Sequence, residues 1–173
     1  MNEQKTGKSK LDKGIFRAVK KDGTVYYRAS LTYRGKHISL GSYRDAGQAH
    51  SAYEEGIRLL NDSSLSLKSY RETSSLSFEK WVCLLNFRDN GIYLGNPIYM
   101  GQQLFYYYLT PHHVLKFDLE DLFYYSSHKI MRRGNHYFVS DYGMQLTLTS
   151  RYGIKSYAVP GSCLLYTSDA ADE

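Results

Sequence analysis

Hydrophobic and polar positions alternate along the first part of the chain and then change to a helical period. The runs at 14–20, 25–33 and 37–40 follow the two-residue period of strands and are separated by turn sequences rich in glycine and charge. From 45 to 60, small and apolar residues recur every three or four positions, as on one side of a helix. The pattern predicts three antiparallel strands followed by one helix.

Alternation in the central strand divides its residues between two faces. Small helix residues such as Ala49 and Gly56 would let the helix lie close to one of these faces. We therefore predict that the helix covers one face and leaves the other open, polar and basic. The covered face would hold Tyr27, Ala29, Leu31 and Tyr33, and the open face would hold Tyr26, Arg28, Ser30 and Thr32.

The rest of the chain has a mixed pattern. The serine-rich stretch 62–76 is typical of a linker, and 77–161 combines short helical and strand periods with many tyrosines. We predict an α+β fold in which residues 13–61 form a three-stranded antiparallel sheet packed on one helix, followed by a second, incomplete α+β segment at 77–161. Within that segment the pattern predicts helices at 77–85 and 118–128, a half-buried tyrosine-rich strand at 104–108, and a hairpin of 136–140 with 144–149.

The charge distribution is compatible with a polyanionic partner and, equally, with a basic surface that only keeps the protein soluble. The 173 residues contain 22 Lys and Arg against 17 Asp and Glu, and residues 1–61 hold 12 of the basic and 6 of the acidic residues. Residues 1–12 resemble a flexible basic arm, and positive charge concentrated at one end of a chain is typical of nucleic-acid binding. There is no long apolar run and no apolar leader, so we expect a cytoplasmic protein (nucleoid-associated in a bacterium) without membrane contact.

The last residues differ from the rest. Residues 163–173 resemble the translation of a transposase-based sequencing adapter, and we expect 162–173 to be an artefact tail rather than part of the fold. On this interpretation the natural reading frame continues beyond Gly161, and the chain is a truncated fragment. The alternative is an ordinary frayed acidic terminus.

Four motifs in residues 14–60 resemble the AP2/ERF family of DNA-binding domains. The family's Leu-Gly-x-aromatic signature corresponds to Leu40-Gly41-Ser42-Tyr43, and its Ala-rich helix ending in Ala-Tyr-Asp corresponds to 46–54. Gly14-Ile15 and Tyr27-Arg28-Ala29 match its first two strands. The resemblance implies a three-stranded sheet docked in the major groove of double-stranded DNA, in a transcriptional regulator or a mobile-element protein.

The resemblance also implies which residues contact DNA. Plant members carry arginines at the positions of Phe16 and Ala18 and tryptophan at that of Ser39, so their GC-rich site preference is not implied here. The closer similarity is to AP2-like modules of bacterial and phage mobile elements. The implied DNA-binding residues are Phe16, Arg17, Ala18, Lys20, Arg28, Ser30, Thr32, His37 and Ser39 on the sheet, with Arg34 and Lys36 reaching phosphates from the turn.

Two other function classes stay open. The order Asp118-x-x-Asp121, a hairpin, then 148–152 faintly resembles the approach to an HNH endonuclease core, and the alternative function is a fragment of such a homing-type nuclease. Ser150 stands where an active member has histidine, so we expect no catalytic residue in the chain as given. A tyrosine-rich protein-interaction module is the third class.

No metal, disulfide or cofactor site is expected. Two cysteines exclude a disulfide framework or a cysteine-based zinc site, and Cys83 is expected to be a buried, inert thiol. The adjacent His112 and His113 would diverge, and His128 and His136 lack a third ligand. Lys129, Arg132 and Arg133 form a small basic cluster, a candidate second DNA contact. The sequence does not predict the oligomeric state or the target site.

Overall fold

A computed structural model describes residues 13–141 and 144–147 of the chain. The predicted arm at 1–12, the residues at 148–161 that include the HNH-like run, and the tail at 162–173 lie outside the described residues. The described chain forms two compact units. The first comprises the residues up to 64 together with 71–77, and the second comprises 65–70 and the residues from 78 onwards.

The first unit is the predicted three-stranded antiparallel sheet with one helix. Its sheet has the order β1-β2-β3, and both pairings are antiparallel. The fold class predicted from the sequence is therefore confirmed. The elements are β1 Ile15–Val19, β2 Val25–Tyr33, β3 Lys36–Tyr43 and α1 Ala46–Asn61.

The helix α1 lies close to the sheet because its inner side is made of small residues. Asp45 caps its N-terminus by accepting a 2.8 Å hydrogen bond from the backbone N–H of Gln48. Ala49 and Gly56 are buried, and a Cβ placed on Gly56 would lie 2.9 Å from Leu31 Cδ2. A larger residue at position 56 would require the Leu31 side chain or the helix to shift.

The end of the serine-rich stretch belongs to the first unit and is hydrogen-bonded to its helix and sheet. The Glu55 carboxylate of α1 accepts hydrogen bonds from the Ser74 hydroxyl (2.7 Å) and the Leu76 N–H (3.1 Å), and Leu76 is buried. The Tyr43 hydroxyl donates to the carbonyl of Ser75 at 3.1 Å. This part of the predicted linker is therefore held by side chains of α1 and β3.

The second unit contains two further three-stranded antiparallel sheets, with orders β4-β5-β6 and β7-β8-β9. Its long helix α2 buries seven consecutive residues, 81–87. The elements are α2 Phe78–Asn90, β4 Ile98–Met100, β5 Leu104–Thr110, β6 His113–Asp118, a 3₁₀ turn Leu119–Asp121, α3 Leu122–Ser127, β7 Ile130–Arg133, β8 His136–Asp141 and β9 Met144–Thr147, with another 3₁₀ turn at Leu67–Ser69.

Aromatic side chains fill the core of the second unit. The rings of Phe117 and Tyr125 have centroids 4.3 Å apart, and Phe105 stacks on Phe117 at 5.3 Å. Tyr107 is buried in β5, and its hydroxyl accepts a hydrogen bond from the Ile130 N–H at 3.0 Å. The neighbouring Tyr106 and Tyr108 are half-buried, which agrees with a half-buried strand rather than an exposed stacking platform.

Two elements of this unit differ from the pattern-based prediction. Asp118 ends strand β6 opposite Leu104, so the helical stretch begins only after it, as a 3₁₀ turn that leads into α3. Phe123, which lies within the helix predicted at 118–128, is 89% exposed. Strand β6, which the pattern did not predict, begins at His113, and this residue pairs with Thr110 across a two-residue turn.

Candidate nucleic-acid interface

The first unit presents one face of its sheet away from α1. Strand register places Phe16, Arg28 and Ser42 side by side across the three strands, with Ala18 beside Tyr26 in the next row. The opposite face, under α1, holds the buried residues Ile15, Ala29, Leu31 and Ile38. We call the outward set the open face: Phe16, Ala18, Tyr26, Arg28, Thr32, His37, Ser39 and Ser42.

Arg28 is held at the centre of the open face by Tyr26. Its Nη2 donates a 2.7 Å hydrogen bond to the Tyr26 hydroxyl oxygen, and its Cζ lies 5.4 Å from the centroid of the same ring. Tyr26 is half-buried, so its side chain has less freedom to move than the exposed guanidinium that it contacts. The hydroxyl occupies only one of the guanidinium's five N–H donors, and because it is neutral it does not balance the positive charge of Arg28.

A β-bulge decides which β3 residues join the open face. Ala29 pairs with Gly41 while the next residue, Ser30, pairs with Ser39, so Leu40 is an extra residue in β3. Gly41 has a φ of +149°, a conformation that glycine adopts most easily. Leu40 is buried on the helix side, and beyond the bulge Ser42 lies on the open face. A bulge also strengthens the right-handed twist of a sheet.

Most of the sheet residues implied by the resemblance lie where a docking partner could reach them. Phe16 is an unusual surface residue because it is aromatic and 56% exposed. Arg28, Thr32, His37 and Ser39 are also exposed on the open face, and Ala18 is half-buried. Lys20 is exposed directly after β1, and by alternation it is on the same face as Phe16 and Ala18.

Two of the predicted DNA-binding residues do not belong to this surface. Arg17 pairs with Tyr27, which in turn pairs with Tyr43. By strand alternation Arg17 therefore belongs to the sheet face that α1 covers, although its side chain is exposed. Ser30 is only 7% exposed, because its short side chain lies in the middle strand and its N–H donates to the Gly14 carbonyl at 2.8 Å. Neither residue is therefore part of the open face.

Cations stand at both ends of β2. Arg34 and Gly35 form the two-residue turn between β2 and β3 with positive φ angles of 45° and 76°, as in a type I′ hairpin. The Arg34 guanidinium lies 5.1 Å from the centroid of the Tyr33 ring, and Lys36 is exposed beside the turn. Lys20 lies at the other end, beside the turn that joins β1 and β2. The open face thus has positive charge at both of its ends.

Charge is divided between the sheet and the helix of the first unit. Residues 13–44 contain eight basic residues and one acidic residue, Asp22, which lies in a turn. The strands β1, β2 and β3 contain no Asp or Glu. Residues 45–62, which include α1, contain four acidic residues and one basic residue. The sheet side therefore has a positive field with no carboxylate in its strands to oppose an anion.

Sequence reasoning missed two residues of the open face as contact candidates. Alternation already placed Tyr26 outward, but its role became visible only through its bond to Arg28. Ser42 carried no such signal, because simple alternation from Ser39 would place residue 43 outward instead. The Leu-Gly pair before it was the one trace of the bulge in the sequence.

The candidate basic cluster of the second unit is not one surface. Lys129 pairs with the Glu79 carboxylate at 2.9 and 3.0 Å. Arg132 and Arg133 are consecutive in β7, so their side chains leave on opposite faces of the strand. Within residues 13–141 and 144–147, no group of three or more His, Cys, Asp or Glu residues is placed to hold a metal ion.

Comparison of the chain with protein-family models, with curated proteins and with solved structures found no match. None of the helices in the described part of the chain is long and apolar enough to cross a membrane.

Proposed function

We propose that the first unit is an AP2/ERF-like module that binds double-stranded DNA by placing its open face in the major groove. The observation that carries the proposal is Arg28, held by Tyr26 at the centre of a sheet whose strands contain no carboxylate. An arginine with free donors on a rigid element is the side chain best suited to guanine edges and phosphates.

The dimensions of the sheet suit the groove. Neighbouring strands lie about 4.8 Å apart, so three strands span about 10 Å between their outer backbones, against a major groove about 12 Å wide. The bulge at Leu40 and Gly41 adds twist, which helps a sheet follow the groove of a helical duplex. Lys20 at one end, with Arg34 and Lys36 at the other, would contact phosphates and fix the register.

Residues on the open face would divide the recognition between them. Arg28 is the candidate for bidentate contact with a guanine, and the exposed Phe16 beside it suits a thymine methyl group. Thr32, His37, Ser39 and Ser42 supply hydroxyls and an imidazole along the same surface. Binding would therefore prefer particular sequences while drawing much of its affinity from phosphate contacts.

The test is equilibrium binding of the full chain to a random pool of duplex DNA, followed by selection and sequencing of the bound fraction. Four flanking and central cations predict that affinity falls about 100-fold between 50 and 200 mM salt, and selection should enrich a short motif. Single-stranded DNA of the same composition should bind more weakly. No binding to duplex at 50 mM salt, or equal preference for single strands, would overturn the proposal.

A further inference from the structure

The second unit contains a cleft that the DNA-binding proposal does not use. Its volume is about 400 Å³, within the range of small-molecule sites. The end of β5, the start of β6, and β7 with the residue before it form its sides, and Glu79 of α2 lies at its edge. Its apolar surface comes from Pro97, Tyr107, Leu109, Ile130 and Met131.

Two polar residues that line the cleft, His113 and Arg132, contact each other, and His113 also contacts Tyr137 of β8. The Tyr137 hydroxyl lies 2.5 Å from His113 Nε2, and Arg132 Nη1 lies 3.4 Å from His113 Nδ1. Arginine can only donate, so Nδ1 accepts and Nε2 carries the hydrogen that is donated to Tyr137. Burial, followed by the charge of Arg132, lowers the pKa of His113, which favours this neutral imidazole.

Among the described residues, no carboxylate balances the charge of Arg132 in the cleft. Lys129 is paired with Glu79, and these two charges offset each other. Arg132 instead donates to neutral acceptors, through Nε to the Gly134 carbonyl at 2.8 Å and through Nη1 to His113. Among the described residues no carboxylate contacts its guanidinium, so the outer donors are available to a ligand.

We infer that this cleft binds a small organic anion, with a carboxylate or phosphate on Arg132 and an apolar or aromatic body against Leu109. Guanidinium groups bind both kinds of oxyanion through paired donors. His113 and Tyr137 are positioning residues, because His113 contacts the guanidinium and Tyr137 holds His113. Inorganic anions have no apolar group to contact the apolar surface of the cleft, so we expect them to bind more weakly.

Amide NMR titration of the full chain with benzoate, phenyl phosphate, benzamide and inorganic phosphate tests this inference. We expect saturable binding of benzoate or phenyl phosphate, with shifts centred on residues 108–113 and 129–132. Neutral benzamide, which lacks the charge, and inorganic phosphate, which lacks the body, should each bind at least tenfold more weakly. The stronger of the two organic anions identifies the head group that the cleft prefers.

Arg132 and Arg133 give a matched pair of variants, since they are neighbours on opposite faces of one strand. Arg132→Gln should weaken binding of the organic anion at least tenfold, and Arg133→Gln should change it less than twofold. Leu109→Trp, which fills the apolar side and keeps the charge, should also abolish binding. Equal effects of the two arginine variants, no saturable binding of either organic anion, or equal binding of inorganic phosphate would overturn the inference.

Discussion

The ring of Tyr53 in α1 lies directly against the backbone of Gly14, the residue that precedes β1. A Cβ added to Gly14 would overlap the Tyr53 ring and would lie 2.5 Å from the Ser30 carbonyl oxygen. Gly14 also has a φ of +81°, in the region that residues with side chains rarely adopt. The helix and the entry to the sheet are therefore joined at a point where only glycine fits.

Gly14→Ala should destabilise the first unit more than Gly23→Ala does. Both glycines have a similar positive φ (+81° and +85°), but a Cβ on Gly23 would meet nothing within 4 Å. Backbone strain alone costs about 1–2 kcal/mol, and the overlap at Gly14 adds about 1–3 kcal/mol. Urea-dependent hydrogen exchange of the β2 amides measures the free energy of opening for each variant. Equal losses at the two sites would contradict this account of Gly14.

Tyr26→Phe should weaken DNA binding without unfolding the sheet. The change removes the oxygen that holds Arg28 at 2.7 Å and leaves the ring in place. Loss of one hydrogen bond of this kind is worth about 0.5–1.5 kcal/mol, so affinity should fall about two- to tenfold. Tyr27→Phe, on the helix side, is the matched control and should bind as the natural chain does in a fluorescence anisotropy titration. Equal affinities for the two variants would show that the Tyr26–Arg28 bond has no part in recognition.

The Cys83 thiol should react slowly in the folded protein. Its Sγ donates towards the carbonyls of Asn96 (3.3 Å) and Gly95 (3.6 Å), and burial raises its pKa to about 11. At pH 8 the thiolate fraction is then about one in a thousand. In a Cys163→Ser background, which leaves one cysteine, labelling with Ellman's reagent should be at least a hundredfold slower than in urea.

The pH dependence of that rate follows from the direction of the shift. Because the folded pKa lies above the assay range, each added pH unit between 8 and 10 increases the thiolate about tenfold. Native labelling should rise in proportion, whereas the unfolded thiol, with a pKa near 8.5, should level off above about pH 9. A native rate that also levels off at pH 9 would mean that the thiol is neither buried nor shifted.

The first unit was predictable because its signals are local. Clean alternation in 25–33 and the glycine-containing turns define a hairpin by themselves, and Ala49, Ala52 and Gly56 recur on the one side of α1 that is buried. The bulge was not predictable, because alternation assumes one partner for each residue and Leu40 has none. That single extra residue puts Ser42 rather than Tyr43 on the open face.

Elsewhere, tertiary pairing outweighed the local pattern. Pro111 and two adjacent histidines resemble a loop, yet Pro111 and His112 form a two-residue turn and His113 begins a strand. Asp118 has helical neighbours in sequence but completes the ladder with Leu104. Arg132 and Arg133 looked like one basic patch because sequence proximity does not distinguish the two faces of a strand.

Arg28 and Arg17 provide the most direct test of the central claim. Both are exposed arginines of the same sheet, but Arg28 lies on the open face and Arg17 belongs by strand alternation to the face that α1 covers. The measurement is the affinity of full-length Arg28→Gln and Arg17→Gln for the duplex selected by the natural chain, at one fixed salt concentration. We predict that Arg28→Gln loses about 1–3 kcal/mol, or about 5- to 150-fold in affinity, while Arg17→Gln stays within about twofold. Equal losses, or a larger loss for Arg17→Gln, would contradict docking through the open face.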